Sequence, residues 1–134
     1  MIKFIVEGKP TAKERPRFTH RRVYTPQKTV NYEQSVRIAY LQSDRVKFMN
    51  KEPLSITITA FYPIRKSASK KLQRQMLEGE IRPTVKPDFD NVSKIICDSL
   101  NGIAYNDDSQ IVDATIKKFY SETPRVEVEI CSLI

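Results

Sequence analysis

The chain has 134 residues, 40% hydrophobic and 29% charged, a globular balance that suits one domain with its own core and excludes a long disordered tract. Twenty-three lysines and arginines against sixteen acids give a net charge of +7, which disfavours cationic partners and allows nucleic acid, an anionic membrane surface or an acidic protein. The opening segment MIKFIVE lacks the apolar stretch of a signal peptide or a membrane helix, so a cytoplasmic protein without membrane contact is expected.

Residues 2 to 7 alternate apolar and polar and predict a strand, followed by an irregular basic loop to about Pro26. Thr25-Pro26 then opens a helix, with Tyr32, Val36, Ala39 and Tyr40 at helical spacing towards Val46. Leu54, Ile56, Ile58 and Ala60 alternate with Ser55, Thr57 and Thr59 in a half-buried strand that Pro63 stops. A basic helix is expected from about Ser67 to Glu78, ending at Gly79. A short helix with the stripe Val92, Ile95, Ile96 and Leu100 begins near Asp90 and ends at Asn101-Gly102. Two strands, around Val112–Lys117 and Val126–Ile130 and joined around Thr123-Pro124, close the chain. The pattern predicts one α+β domain over residues 1–134, a mixed β-sheet with helices packed on one face. Cys97 and Cys131 have no metal or redox spacing, and Cys97, among Ile95, Ile96 and Leu100, reads as a buried free thiol.

Charge is distributed in blocks. Lys9 to Arg37 carries a net +6 and Arg65 to Lys86 a net +5, whereas Pro87 to Asp113 holds six aspartates and a single base, Lys94. A nucleic acid would be drawn by the flanks and repelled by the acidic island unless cations sat on it. In the island, Lys86-Pro-Asp-Phe-Asp-Asn-Val-Ser-Lys94 places Asp88 and Asp90 two residues apart; in an extended segment both would project to one side and converge on a hard cation. A turn at Asn106-Asp-Asp-Ser-Gln110 would bring up Asp108, with Asp107 as a further candidate ligand. Three carboxylates on one Mg²⁺, with Mn²⁺ as a substitute, leave sites for water and a phosphate oxygen, as metal-assisted hydrolysis requires. Lys94 would set an ammonium beside the phosphate. No organic cofactor is called for. Taken singly, each feature has an ordinary reading: Asp88 or Asp90 as a helix N-cap, and Asn-Asp-Asp-Ser as a turn. An EF-hand is excluded, because Ser93 and Ser99 stand where its glycine and glutamate belong.

From Lys86 to Lys117 the sequence resembles the RusA family of Holliday-junction resolvases, through the blocks Lys86 to Lys94, Asp98 to Gly102, and Asp107 to Ile111 followed by Lys117. The first half resembles it more loosely, through the opening strand and the Lys9-Pro10 to Arg17 loop. The resemblance implies a homodimeric, Mg²⁺-dependent endonuclease that nicks opposed strands of a four-way DNA junction symmetrically. By position it makes Asp88, Asp90 and Asp108 the essential carboxylates and Lys94 the catalytic lysine.

The remaining bases are candidates for the DNA-binding frame: Lys13, Arg15, Arg17, Arg21 and Arg22 in the first loop, Lys70, Lys71 and Arg74 on one side of the second helix, and Lys86. Phe18 or Tyr24 is available to stack on an unpaired base. His20, the only histidine, reads as a surface residue. Phe89, between the two aspartates, is expected to pack into the core. Two other classes remain open: a non-catalytic binder of branched DNA, in which the aspartates are caps and turn formers, and a Mg²⁺-dependent nucleotide phosphohydrolase.

Overall fold

A computed structural model describes residues Met1–Ile134. Six strands and three helices follow in the order β1 (Ile2–Glu7), β2 (Arg17–Thr19), β3 (Arg22–Tyr24), α1 (Gln27–Leu41), β4 (Leu54–Pro63), α2 (Lys70–Leu77), α3 (Phe89–Leu100), β5 (Ile111–Ser121) and β6 (Arg125–Ser132). The main sheet is mixed, in the order β1-β6-β4-β5, with β4 and β5 parallel and the other pairs antiparallel. The fold is α+β, as expected.

Alternation in the sequence decides which side of each strand is buried. Leu54, Ile56, Ile58, Ala60 and Tyr62 of β4 face the core together with Ile2, Phe4 and Val6 of β1 and Val126, Val128 and Ile130 of β6. Val36 and Tyr40 of α1 and Val92, Ile95, Ile96 and Leu100 of α3 cover them in one cluster. Each large apolar side chain so buried contributes about 2 kcal/mol. The two closing strands meet around Thr123-Pro124 as expected but are not neighbours, because β4 lies between β6 and β5. That leaves β5, eleven residues long, at the sheet edge.

Helix ends follow local chemistry. The Ser69 hydroxyl accepts from the Leu72 N–H at the start of α2. Gly79, at φ +80°, ends it: the Glu80 N–H bonds the Gln75 carbonyl and the Gly79 N–H the Met76 carbonyl, a Schellman closure. Helix α1 ends at Leu41, earlier than its pattern suggests, and the Tyr40 hydroxyl donates to the Val46 carbonyl across the following loop. The basic loop before α1 is more ordered than its composition predicts. Arg17–Thr19 and Arg22–Tyr24 pair as a small antiparallel hairpin, exposed throughout, with His20 near its tip at φ +51°.

Candidate functional site

Helix α3 carries the first half of the acidic island and presents its apolar stripe to the sheet, so its first turn lies at the edge of the core. The helix begins at Phe89, with Asp88 as its N-cap in extended conformation. This overturns the expected extended 88–90 segment. Two extended steps return a side chain to the same side, whereas two helical steps turn it by roughly 200°, so Asp88 and Asp90 are not aimed together by the backbone. Asp88 caps the helix only by position, since its side chain makes no cap hydrogen bond. Its charge is felt instead by Tyr62, whose hydroxyl is pushed up to about 12 by burial and then by Asp88, and by Lys118.

Asp90 lines a cavity of about 440 Å³ between α3 and the uncovered edge strand β5, together with Lys94, Asp108, Phe89 and Cys97. The floor is apolar, with Ala114 and Ile116 of β5 beside Ile56 of β4. Neither Asp90 nor Lys94 has an ion-pair or side-chain hydrogen-bond partner within the protein. Asp108 enters the same cavity from a single 3-10 turn, Asp108–Gln110. Its carboxyl is raised above the usual range, first by burial and then by the charges of Asp107 and Asp98, the latter close enough for carboxyl–carboxyl contact. The sequence places Asp98 four residues after Lys94, on a neighbouring face of the helix, but nothing in that spacing marks it as a neighbour of Asp108.

The 3-10 turn is held by its own side chains. The Asp107 carboxylate accepts from the Ser109 N–H, while the Gln110 side chain accepts from the Asn106 and Asp107 N–H groups and donates to the Met49 and Glu52 carbonyls. The Ser109 side chain and then its backbone N–H hold Asp107 below the ordinary carboxylate range. Asp107 lines a separate depression with Lys51 and Ser109, so the candidate fourth ligand is a cap and lies apart from the cavity.

The donor set can be tested against a divalent cation. Its chemistry fits: the acids are hard oxygen donors, and Cys97, raised to about 11 chiefly by burial, stays protonated. The crowding of Asp108 against Asp98 is a like-charge contact that a cation would relieve. The expected convergence of Asp88, Asp90 and Asp108 is not formed, however, since no three carboxylate, thiol or imidazole groups meet at one point. Asp90 and Asp108 share the cavity, and Asp88 stands outside its lining. Phe89 corrects the core-packing expectation: it is 63% exposed on the cavity wall, because the first helical turn carries it outward.

Among the basic residues, Arg15, Arg17, Arg21, Arg22, Lys70, Lys71, Arg74 and Lys86 are exposed. Arg17 makes a solvent-exposed pair with Glu14 at 3.4 Å. Lys13, assigned to the same outer frame from the sequence, is turned inward. Its ammonium lies 2.9 Å from Glu33 and 3.8 Å from Asp98, and so ties the first loop to α1 and α3. No helix is long and apolar enough to cross a membrane.

Residues 7–131 match the family described as Endodeoxyribonuclease RusA. The chain is 42% identical over 135 residues to the uncharacterized protein YqaN of Bacillus subtilis, covering 96% of this chain and 94% of that one. It is 37% identical over 84 residues to the crossover junction endodeoxyribonuclease rusA of Lactococcus phage r1t, covering 62% of this chain and 57% of the phage protein. The acidic cavity at the start of α3 thus sits in a chain that belongs to the RusA endodeoxyribonuclease family.

Proposed function

We propose that this protein is a Mg²⁺-dependent, structure-selective endodeoxyribonuclease that resolves four-way DNA junctions by paired, symmetrical nicks, acting as a cytoplasmic homodimer in recombination and repair. One observation carries the reading: Asp90, Lys94 and Asp108, from two separate segments, line a single open cavity. The phage relative's description as a crossover junction endodeoxyribonuclease supports the choice of substrate.

Asp90 and Asp108 would hold the cation, with Asp88, whose carboxylate no cap bond fixes, turning in to join them. A divalent ion held there would supply a water of lowered pKa and would neutralise charge on the phosphate. Lys94 places a compact positive charge on the same wall, where it stabilises the oxyanion that develops during hydrolysis. Paired nicks need two such cavities related by a two-fold axis, hence the homodimer.

Incubating the protein with an end-labelled four-way junction and Mg²⁺ tests this reading. Symmetrical nicks in opposed strands are expected, abolished by EDTA and restored by Mn²⁺. Junctions left intact under every divalent ion would overturn it, and a single-chain mass in gel filtration would remove the basis for paired cutting.

A further inference from the structure

Segment 86–90 lines two cavities, one on each side of Asp88 in the chain. Phe89 and Asp90 line the acidic one, and Lys86 and Pro87 line a second of about 380 Å³. Into this second cleft converge Lys9, from the loop after β1, Lys28, from the first turn of α1, and Lys86. No aspartate or glutamate lines it, and none of the three ammonium groups has an ion pair.

Three segments distant in sequence thus line one cleft with like charges and no acidic side chain among them; the nearest carboxylate identified is Asp88, whose charge reaches Tyr62 on the cleft wall. An anion entering the cleft would meet three exposed ammonium groups and no carboxylate in the lining. One further observation points the same way. Helix α1 opens into this region with no side-chain cap and no acid in its first turn, so Lys28 stands against its own helix dipole, an unfavourable position that a bound anion would reverse. Lys118 lies behind the lining, its ammonium bonding the Val85 carbonyl at 2.8 Å and lying 4.8 Å from the centre of the Tyr62 ring; Val85 and Tyr62 both line the cleft, and Asp88 is the acid that Lys118 feels.

We infer that the Lys9–Lys28–Lys86 cleft is a phosphodiester subsite, which holds a backbone phosphate of the DNA strand whose neighbouring phosphate lies at the Asp90–Asp108 cavity. It would fix the strand's position across the start of α3 without reading sequence. The inference rests on the proposed nuclease activity for its substrate and adds Lys9 and Lys28 to the binding surface.

The test compares wild type with the triple variant Lys9→Gln/Lys28→Gln/Lys86→Gln, and with Lys47→Gln/Lys51→Gln as a control of exposed lysines elsewhere. Binding of a labelled duplex and of a four-way junction is measured in EDTA across a salt series, and cleavage of the junction is measured separately in Mg²⁺. Each lost phosphate contact lowers the slope of log affinity against log salt by about 0.9 on duplex DNA, so the triple variant, which loses the contact to one phosphate, should lose roughly 0.9 from its slope, and the control close to none. An unchanged slope in the triple variant overturns the subsite even if wild type cuts junctions. A reduced slope in a protein that cuts no junction supports the subsite and sinks the nuclease reading alone. Thermal stabilisation of wild type, but not the triple variant, by inorganic phosphate, with an unchanged DNA slope, would assign the cleft to a free anion and overturn the DNA inference.

Discussion

The two halves of the acidic island treat their polar groups in opposite ways. In 106–110 nearly every polar group is satisfied from within: Asp107 caps Ser109, and Gln110, buried, makes four hydrogen bonds to backbone. In 88–94 the reverse holds, with Asp88 at a cap position it does not use and Asp90 and Lys94 without a partner. Gln110 is buried and must be paired, whereas Asp88, Asp90 and Lys94 are exposed, their charges left to water or to a ligand. Asp107 and Asp108 show the same division between adjacent residues, one serving the turn and the other facing the cavity.

The most direct way to break this comparison is to remove a carboxylate from each half. Asp90→Asn and Asp108→Asn should each lower junction cleavage at least about 100-fold while DNA binding persists, the loss expected when a metal site is dismantled. Asp107→Asn, which keeps the capping geometry, should cut at close to the wild-type rate. Quantitative single-turnover cleavage checks both. Equal losses at all three positions would erase the distinction between cap and site.

A second test acts on stability. Gln110→Ala removes a side chain that satisfies two N–H groups and two carbonyls and should destabilise the fold by about 2 kcal/mol, read as a lower urea midpoint at unchanged slope. Cleavage at low temperature should fall far less than in Asp90→Asn.

A smaller effect sharpens the cavity side. The Asp108 carboxyl is raised by burial and by its acidic neighbours, so the folded state binds that proton more tightly than the unfolded one. Its ionisation therefore opposes folding: the contribution is most favourable below the unfolded carboxylate range and is lost as pH rises through the higher folded value. Asp108→Asn should accordingly raise the metal-free melting temperature at pH 7 slightly, with the difference vanishing towards pH 3. Mg²⁺ should stabilise wild type more than the variant. A melting temperature lowered at pH 7 would show that the Asp108 charge supports the fold.

Much of this was legible in the sequence, for reasons that differ by element. Period-two alternation in β4 and β6 and the stripe Val92–Leu100 of α3 decide burial directly, because each follows a fixed geometric repeat. The aspartates could be singled out by residue type and spacing, but their directions could not. A shift of one residue in the start of α3 separates the paths of Asp88 and Asp90. Lys13 reads as one more base of a basic loop, and only the folding of that loop over α1 and α3 discloses its pairing with Glu33 and Asp98. The hairpin at 17–24 has strands of three residues, too short for alternation to announce them, and its apolar pair Phe18 and Val23 stays exposed, while Lys9, Lys28 and Lys86 are joined only by tertiary structure.

Phe89 gives the smallest effect and the cleanest separation of the two kinds of residue. A phenylalanine in the core loses about 3–5 kcal/mol when truncated to alanine. Phe89 is 63% exposed on the first turn of α3, beside Asp90 and above Ala114 and Ile116, so Phe89→Ala should change unfolding free energy by less than about 0.5 kcal/mol. Phe4, buried and edge-on to Tyr40, is the contrasting position: Phe4→Ala should show the full core penalty. An aromatic ring that costs nothing to remove is held at that surface by something other than folding, and its place on the wall of the acidic cavity says where to look for the effect. Cleavage by Phe89→Ala should fall even though its unfolding curve overlays that of wild type. A variant that is destabilised like Phe4→Ala would return Phe89 to the core.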